Sequence, residues 1–304
     1  MSGIIRQLLQ QIVNLLQLGS IYGLLAIGFS IVYGIAGLVN FAHGMIFMCA
    51  TYFLYFFGIL LYNITDQQAL VLLVGFVGAS VLTALLAVII EKIAYKPLRN
   101  APKVSVIVSS VGVSMILEYM MLNIVGPNPY RMHSFVTDRK YTVWGVNFSL
   151  TIILIVVISI GAMLILNLYI KRSKIGIALR AVSQDNLAAG LMGISTNYII
   201  SVAFVLGAIM ATFGAILYHA AYPTFNPYIG AQINWWSFTA AVIGGIGSIK
   251  GAIMGGYLLA AVNVFSPMFL PVSSWRDVVA FGVLIIVLLI KPTGLLGKAS
   301  IQKV

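Results

Sequence analysis

The sequence predicts an all-α fold: a polytopic membrane bundle of about eight to ten transmembrane helices, some of them discontinuous. Three observations predict it. Of 304 residues, 61% are hydrophobic and only 8% charged, whereas soluble domains are about half apolar and about a quarter charged. The apolar residues fall in runs of the length a helix needs to cross hydrocarbon, about 20 residues. No ten-residue alternation of apolar and polar positions appears, which excludes a barrel and requires each crossing to satisfy its backbone within a helix.

Read with a window of about 19 residues, the runs cover roughly residues 10–33, 45–62, 68–90, 104–125, 148–170, 199–221, 251–271 and 278–290. The first continues from Arg6 past residue 30 with no small-residue cleavage site, so it is expected to stay in the mature protein. The second holds the single cysteine, Cys49, which has no internal partner and reads as an inert buried thiol. The third ends at the cations Lys92, Lys96, Arg99 and Lys103, and the fourth carries Glu118 in its interior. The fifth ends at Lys171 and Arg172, where a basic amphipathic segment begins that extends to Gly193 and contains Lys174, Arg180 and Asp185. That segment reads either as an interfacial helix on anionic lipid or as a docking element for a cytosolic partner. A shorter apolar stretch, 236–247, spans or re-enters, and the last run is followed by Lys291, Lys298 and Lys303.

A formal net charge of +11 would suit a nucleic-acid binder, but the cations lie between apolar runs, as the positive-inside rule places them. The basic segments are therefore expected in the cytoplasm. The uncharged stretch from Thr224 to Trp235, with Tyr222, Tyr228, Trp235 and Trp236 in or beside it, is expected as an outward loop with its rings at the interface. Arg131, Arg139 and Lys140 break the charge pattern, since parity puts them outside. Parity also requires one of two solutions near the start: the stretch Gly34 to Gly44 re-enters, or the N-terminus is outside.

Glycines recur early (Gly19, Gly23, Gly28, Gly34, Gly37, Gly44) and late (Gly244, Gly245, Gly247, Gly251, Gly255, Gly256). Small residues let helices approach closely in lipid, and Gly-interrupted segments in both halves also suit discontinuous helices beside a midplane pathway.

Enzyme motifs fail on inspection. Gly245 to Gly251 is not a dinucleotide fingerprint, and Gly297-Lys298 has Pro292 and Ala299 where a Walker motif needs Gly and Ser or Thr. His43, His133 and His219 lack metal-site spacing, and Gly112 to Ile116 lacks the second glycine of a nucleophile elbow. The chain is expected to be no enzyme and to hold no metal or cofactor. Glu118 is costly at its depth, which points to a cavity-lining role or to a structural pairing. Asn40 and His43 form a second polar island, suited to a pathway or to hydrogen bonding between helices.

Several stretches together resemble the permease subunits of branched-chain amino acid ABC transporters, LivH type. They are Asn40-Phe41-Ala42-His43-Gly44, Glu91 to Arg99, Asn226 to Gly230, Phe238 to Ser248 and Lys291 to Gly297. The resemblance implies a single permease domain over 1–304, importing leucine, isoleucine and valine across a bacterial inner membrane. It also implies a coupling loop at about 171–197, in which Ala188, Ala189 and Gly193 match an EAAxxxG-like element and Leu187 stands in the acidic position. The implied partners are a second homologous permease, cytoplasmic ATPases that bind the ATP, and an extracytoplasmic substrate-binding protein. Relatives of the same type carry urea, short amides or other amino acids. A self-sufficient carrier using Glu118 for ion coupling, and a non-transporting scaffold, are the readings from other classes.

Overall fold

A computed structural model describes residues 3–65, 67–99, 101–133, 140–143, 145–269 and 275–297; Arg139, Lys298 and Lys303 lie outside them. The helices are α1 (Gly3–Ala36), α2 (His43–Tyr62), α3 (Gln68–Ile90), α4 (Lys103–Val125), α5 (Leu150–Arg172), α6 (Lys174–Gln184), α7 (Asn186–Leu191), α8 (Thr196–Ala221), α9 (Ile229–Gly244), α10 (Ile249–Phe269) and α11 (Trp275–Ile290). Four short strands, β1 (Tyr130–Arg131), β2 (Lys140–Val143), β3 (Val146–Ser149) and β4 (Thr224–Phe225), form two antiparallel ribbons, β1–β4 and β2–β3. Among the described residues, seven helices are long and apolar enough to cross a membrane: α1, α2, α3 with its extension to Leu98, α4, α5, α8 and α10. The two other apolar helices, α9 and α11, have 16 residues each, about 24 Å at 1.5 Å per residue against a hydrocarbon core of about 30 Å.

Burial ranks the helices. From Gly19 to Val32, α1 is buried on every side, the signature of a central helix, and it packs mainly on α10 and α8. In contrast, α4 buries only Val106, Ser110 and Met121 and stands at the periphery. With no hydrophobic drive between helices in lipid, close approach must hold the centre. A Cβ on Gly256 would strike the backbone of Gly23, and one on Gly44 the Gly230 carbonyl and Asn234, so these positions set how near the helices lie.

Contacts fix the parity of the first crossings. Gln10 donates to the Asn147 carbonyl at 3.2 Å and accepts from the Asn147 N–H at 2.8 Å, and the Arg6 side chain lies over Gly145. The start of α1 therefore shares the end of the bundle that holds β2 and β3, opposite the basic segments. The stretch between Gly34 and Gly44 also re-enters, so the two solutions coexist. After α1 ends, residues 37–42 turn back into the bundle, and α2 begins with His43 packed against Gly28, in the interior stretch of α1 where that helix also meets Gly207 of α8.

The aromatic stretch after α8 departs from the expected outward loop. Only Thr224 and Phe225 pair at that end, as β4. From Ile229 the chain is α9, whose start packs on the start of α2; Trp236 meets the Tyr22 ring at 5.1 Å and Trp235 that of Phe41 at 6.3 Å. Of the stretch 236–247, residues 236–244 are the second half of this re-entering helix and 245–247 the turn after it. The last carbonyls of α9, which have no partner within the helix, are capped by the tail: Leu295 N–H donates to Ile243 at 3.0 Å and Leu296 N–H to Gly244 at 2.8 Å. Gly294, at φ 76°, makes the turn that brings the tail there, a left-handed conformation natural only to glycine.

At one end lie Lys92, Lys96, Arg99, Lys103, Lys171, Arg172, Lys174, Arg180, Lys250 and Lys291. Among the described residues the other end holds Arg6, Arg131, Lys140 and Arg276.

Candidate translocation core and coupling loop

Two interrupted helices meet in the interior. The Gly44 N–H, in the unpaired first turn of α2, donates to Asn234 Oδ1 of α9 at 3.2 Å. Asn40, in the re-entering loop, accepts from the Ala42 N–H at 3.0 Å and from the Tyr95 hydroxyl at 2.6 Å. Asn40 is 2% exposed and His43 1%, and Asn40 Nδ2 and His43 Nε2 have no hydrogen-bond partner among the described residues. Buried polar atoms left unpaired are costly, so these two mark a helix interruption that calls for a specific explanation. The sequence-predicted pair thus lies together, joined by Asn234, which sequence reasoning did not single out.

Sequence reasoning also missed a charged network below this island. A π turn, Glu91–Tyr95, follows α3 and turns both Glu91 and Tyr95 inward, each 1% exposed. Glu91 pairs with Arg99 and accepts from the Ser201 hydroxyl at 2.7 Å, while Arg99 also donates to Asn197. One turn therefore links the N-terminal turns of α8 through Glu91 and the α1–α2 loop through Tyr95. The signal available in sequence was an acid at the end of an apolar run, eight residues before an arginine.

Glu118 is placed elsewhere. It lies half-buried on α4, one turn after Ser114, whose hydroxyl donates to the Phe41 carbonyl at 2.9 Å, and has no hydrogen bond or ion pair among the described residues.

The basic segment folds as α6 and α7, broken at Asp185. Asp185 Oδ1 accepts from the N–H groups of Leu187 at 3.0 Å and Ala188 at 2.9 Å, an N-cap that starts α7 anew. Arg180 donates to the carbonyls of Ile170 and Lys171, tying α6 to the end of α5. Ala189 is buried, and Gly193, at φ 81°, closes α7: its neighbour Ile194 N–H returns to the Ala189 carbonyl at 3.1 Å, the closure that a glycine after a helix permits. Arg180, Asp185, Ala189 and Gly193 thus shape the loop, while Ala188 faces outward with Leu187, Leu191 and Met192. These three large side chains are 83%, 90% and 83% exposed, an apolar face at the basic end that the sequence reading passed over.

Among the described residues, no three His, Cys, Asp or Glu side chains lie together as a metal would require.

A family described as "branched-chain amino acid transport system / permease component" matches residues 11–288. The high-affinity branched-chain amino acid transport system permease protein LivH of Escherichia coli is 38% identical over 302 residues, covering 97% of this chain and 97% of its own. BraD of Pseudomonas aeruginosa, named in the same way, is 38% identical over 301 residues, covering 97% and 98%. A probable LivH of Methanocaldococcus jannaschii is 28% identical over 294 residues, covering 90% and 88%. Matched along almost its whole length, and folded as a multi-pass helical membrane bundle, the chain belongs to the family of branched-chain amino acid transport permeases.

Proposed function

We propose that the chain is the permease subunit of an ABC importer that carries leucine, isoleucine and valine into the cytoplasm across a bacterial inner membrane, without enzymatic activity of its own. The observation that carries this reading is the 38% identity over 97% of the chain to permeases named for that cargo. The partners proposed with it are a second homologous permease, cytoplasmic ATPases that bind ATP, and a binding protein outside. The basic end is then cytoplasmic by the positive-inside rule. Residues 171–197 of this single permease domain serve as the coupling loop, with Leu187, Ala188, Leu191 and Met192 as the face that meets the ATPase. A short helix held between α5 and α8 can pass ATPase closure to the bundle as a rigid-body movement, and the Glu91–Arg99–Ser201 network stands directly beside the start of α8.

Asn40 and His43 are proposed as pathway residues. Glu118 belongs to the α4 flank that the second permease covers, because a carboxyl facing lipid would be costly.

The test is uptake of labelled leucine, at low concentration, in cells lacking this chain and its paralogues and in the same cells with the chain restored. Rescue that isoleucine and valine compete away, and urea does not, is the expected result. Restored cells that take up no leucine would refute the cargo assignment.

A further inference from the structure

A cleft of about 690 Å³ opens at the outer end, walled by α1, the start of α5, the end of α8 and the residues from Arg131 to His133. Its lining includes Gln17, Arg131, His133, Ser149 and His219. Among the described residues of that lining, Arg131 is the formally charged side chain, and none of them is a carboxylate.

Arg131 is held rather than loose at its backbone. It pairs with Thr224 in the β1–β4 ribbon, which Met132 N–H extends by donating to the Pro223 carbonyl at 2.8 Å. Side chains alternate along an extended segment. Tyr130 turns into an aromatic cluster with Tyr52, Tyr55 and Phe225, so Arg131, the next residue, points to the other face of the ribbon, and it lines the cleft together with Met132 and His133. The wall opposite is fixed too: His219 shares a hydrogen bond with Thr51 at 3.1 Å and another with the Tyr222 carbonyl at 2.9 Å, using both ring nitrogens. A cation in a polar, preformed concavity whose described lining holds no acid is a site for an anionic group. It also explains a cation retained on the side that the positive-inside rule disfavours.

We propose that this cleft receives the cargo amino acid as it leaves the binding protein, with Arg131 holding its carboxylate. The assignment rests on the import reading above and adds a residue and a ligand group to it. A concave lining favours a small ligand over an acidic face of the binding protein, whose contact would call for an outward-facing cation on a flat surface.

The test uses the complete permease–ATPase assembly in proteoliposomes with leucine-loaded binding protein. Arg131→Gln is expected to lower maximal leucine uptake about ten-fold, the scale of one lost charge-assisted hydrogen bond. The affinity of the binding protein for the assembly should stay unchanged, and Arg131→Lys should keep an intermediate rate. The ribbon is anchored by Tyr130 and Met132, so both variants should fold. Wild-type uptake in Arg131→Gln would overturn the proposal. So would a loss matched by weaker binding-protein docking, which would assign Arg131 to a protein contact. Wild-type vesicles that import urea in place of leucine would overturn the import reading and this assignment together, whereas a defect confined to the variant leaves the import reading intact.

Discussion

Glu91 and Arg99 lie eight residues apart and meet because a π turn inserts between them, and Glu91 is almost wholly enclosed. Removing one partner of a buried pair leaves an uncompensated charge, which costs about 3–5 kcal/mol. Glu91→Ala should therefore lower stability in detergent by about 3 kcal/mol, read from denaturant or thermal unfolding. Glu118→Gln, on the exposed α4 flank, should cost under about 1 kcal/mol. Equal losses would mean that the two acids are equivalent and that the network does not hold α3 to α8. In the sequence, Glu118 drew notice because it interrupts an apolar run, while Glu91 passed as the edge of a basic loop. Hydropathy reports depth along a helix, but which acid is enclosed depends on partners such as Ser201 and Asn197, more than a hundred residues away in the case of Glu91 and Ser201.

At the scale of elements, the apolar runs place the long helices to within about three residues, apart from the start of α1, which lies seven residues before the first run, since length and hydropathy are local quantities. What local pattern left open was where helices break. The start of α2 inside the bundle depends on His43 meeting Gly28, and the start of α9 on Gly230 and Asn234 meeting Gly44. Trp235 and Trp236 suggested an interface because rings of that kind favour one, yet Trp236 packs on Tyr22. The break at Asp185 was equally hidden, because an Asx cap is a matter of backbone conformation rather than composition. Contact between these elements needs small residues. Gly256→Leu would drive a side chain into the Gly23 backbone, and overpacking of this kind costs about 1–3 kcal/mol. The variant should insert but show a lower unfolding midpoint, whereas Gly112→Leu, at a position with open space around it, should not. Similar midpoints would show that α1 and α10 can separate without loss.

For the whole molecule, the two ends differ in kind. One carries the outer cleft, the paired strands and few cations. The other gathers the basic segments, the capped C-terminus of α9 and the exposed apolar face of α7. The polar island of Asn40 and His43 lies between them, and the π turn connects it to the helix that follows the coupling loop. This arrangement suits a device in which a partner's movement at α7 alters the interior while the fold stays intact. The family was legible from several short stretches in order; the apolar face of α7 was not, because exposure at Leu187, Leu191 and Met192 is a property of the folded loop.

The central claim, that α7 joins this permease to its energy source, is tested most directly by Leu191→Asp, with co-purification of the ATPase subunits measured beside ATP-dependent leucine uptake. Leu191 is 90% exposed, so the unfolding midpoint of the isolated chain should not move. The account predicts loss of the ATPase from the complex and at least about a ten-fold fall in uptake, as for a residue near the centre of an interface. Stoichiometric ATPase with wild-type uptake would contradict it.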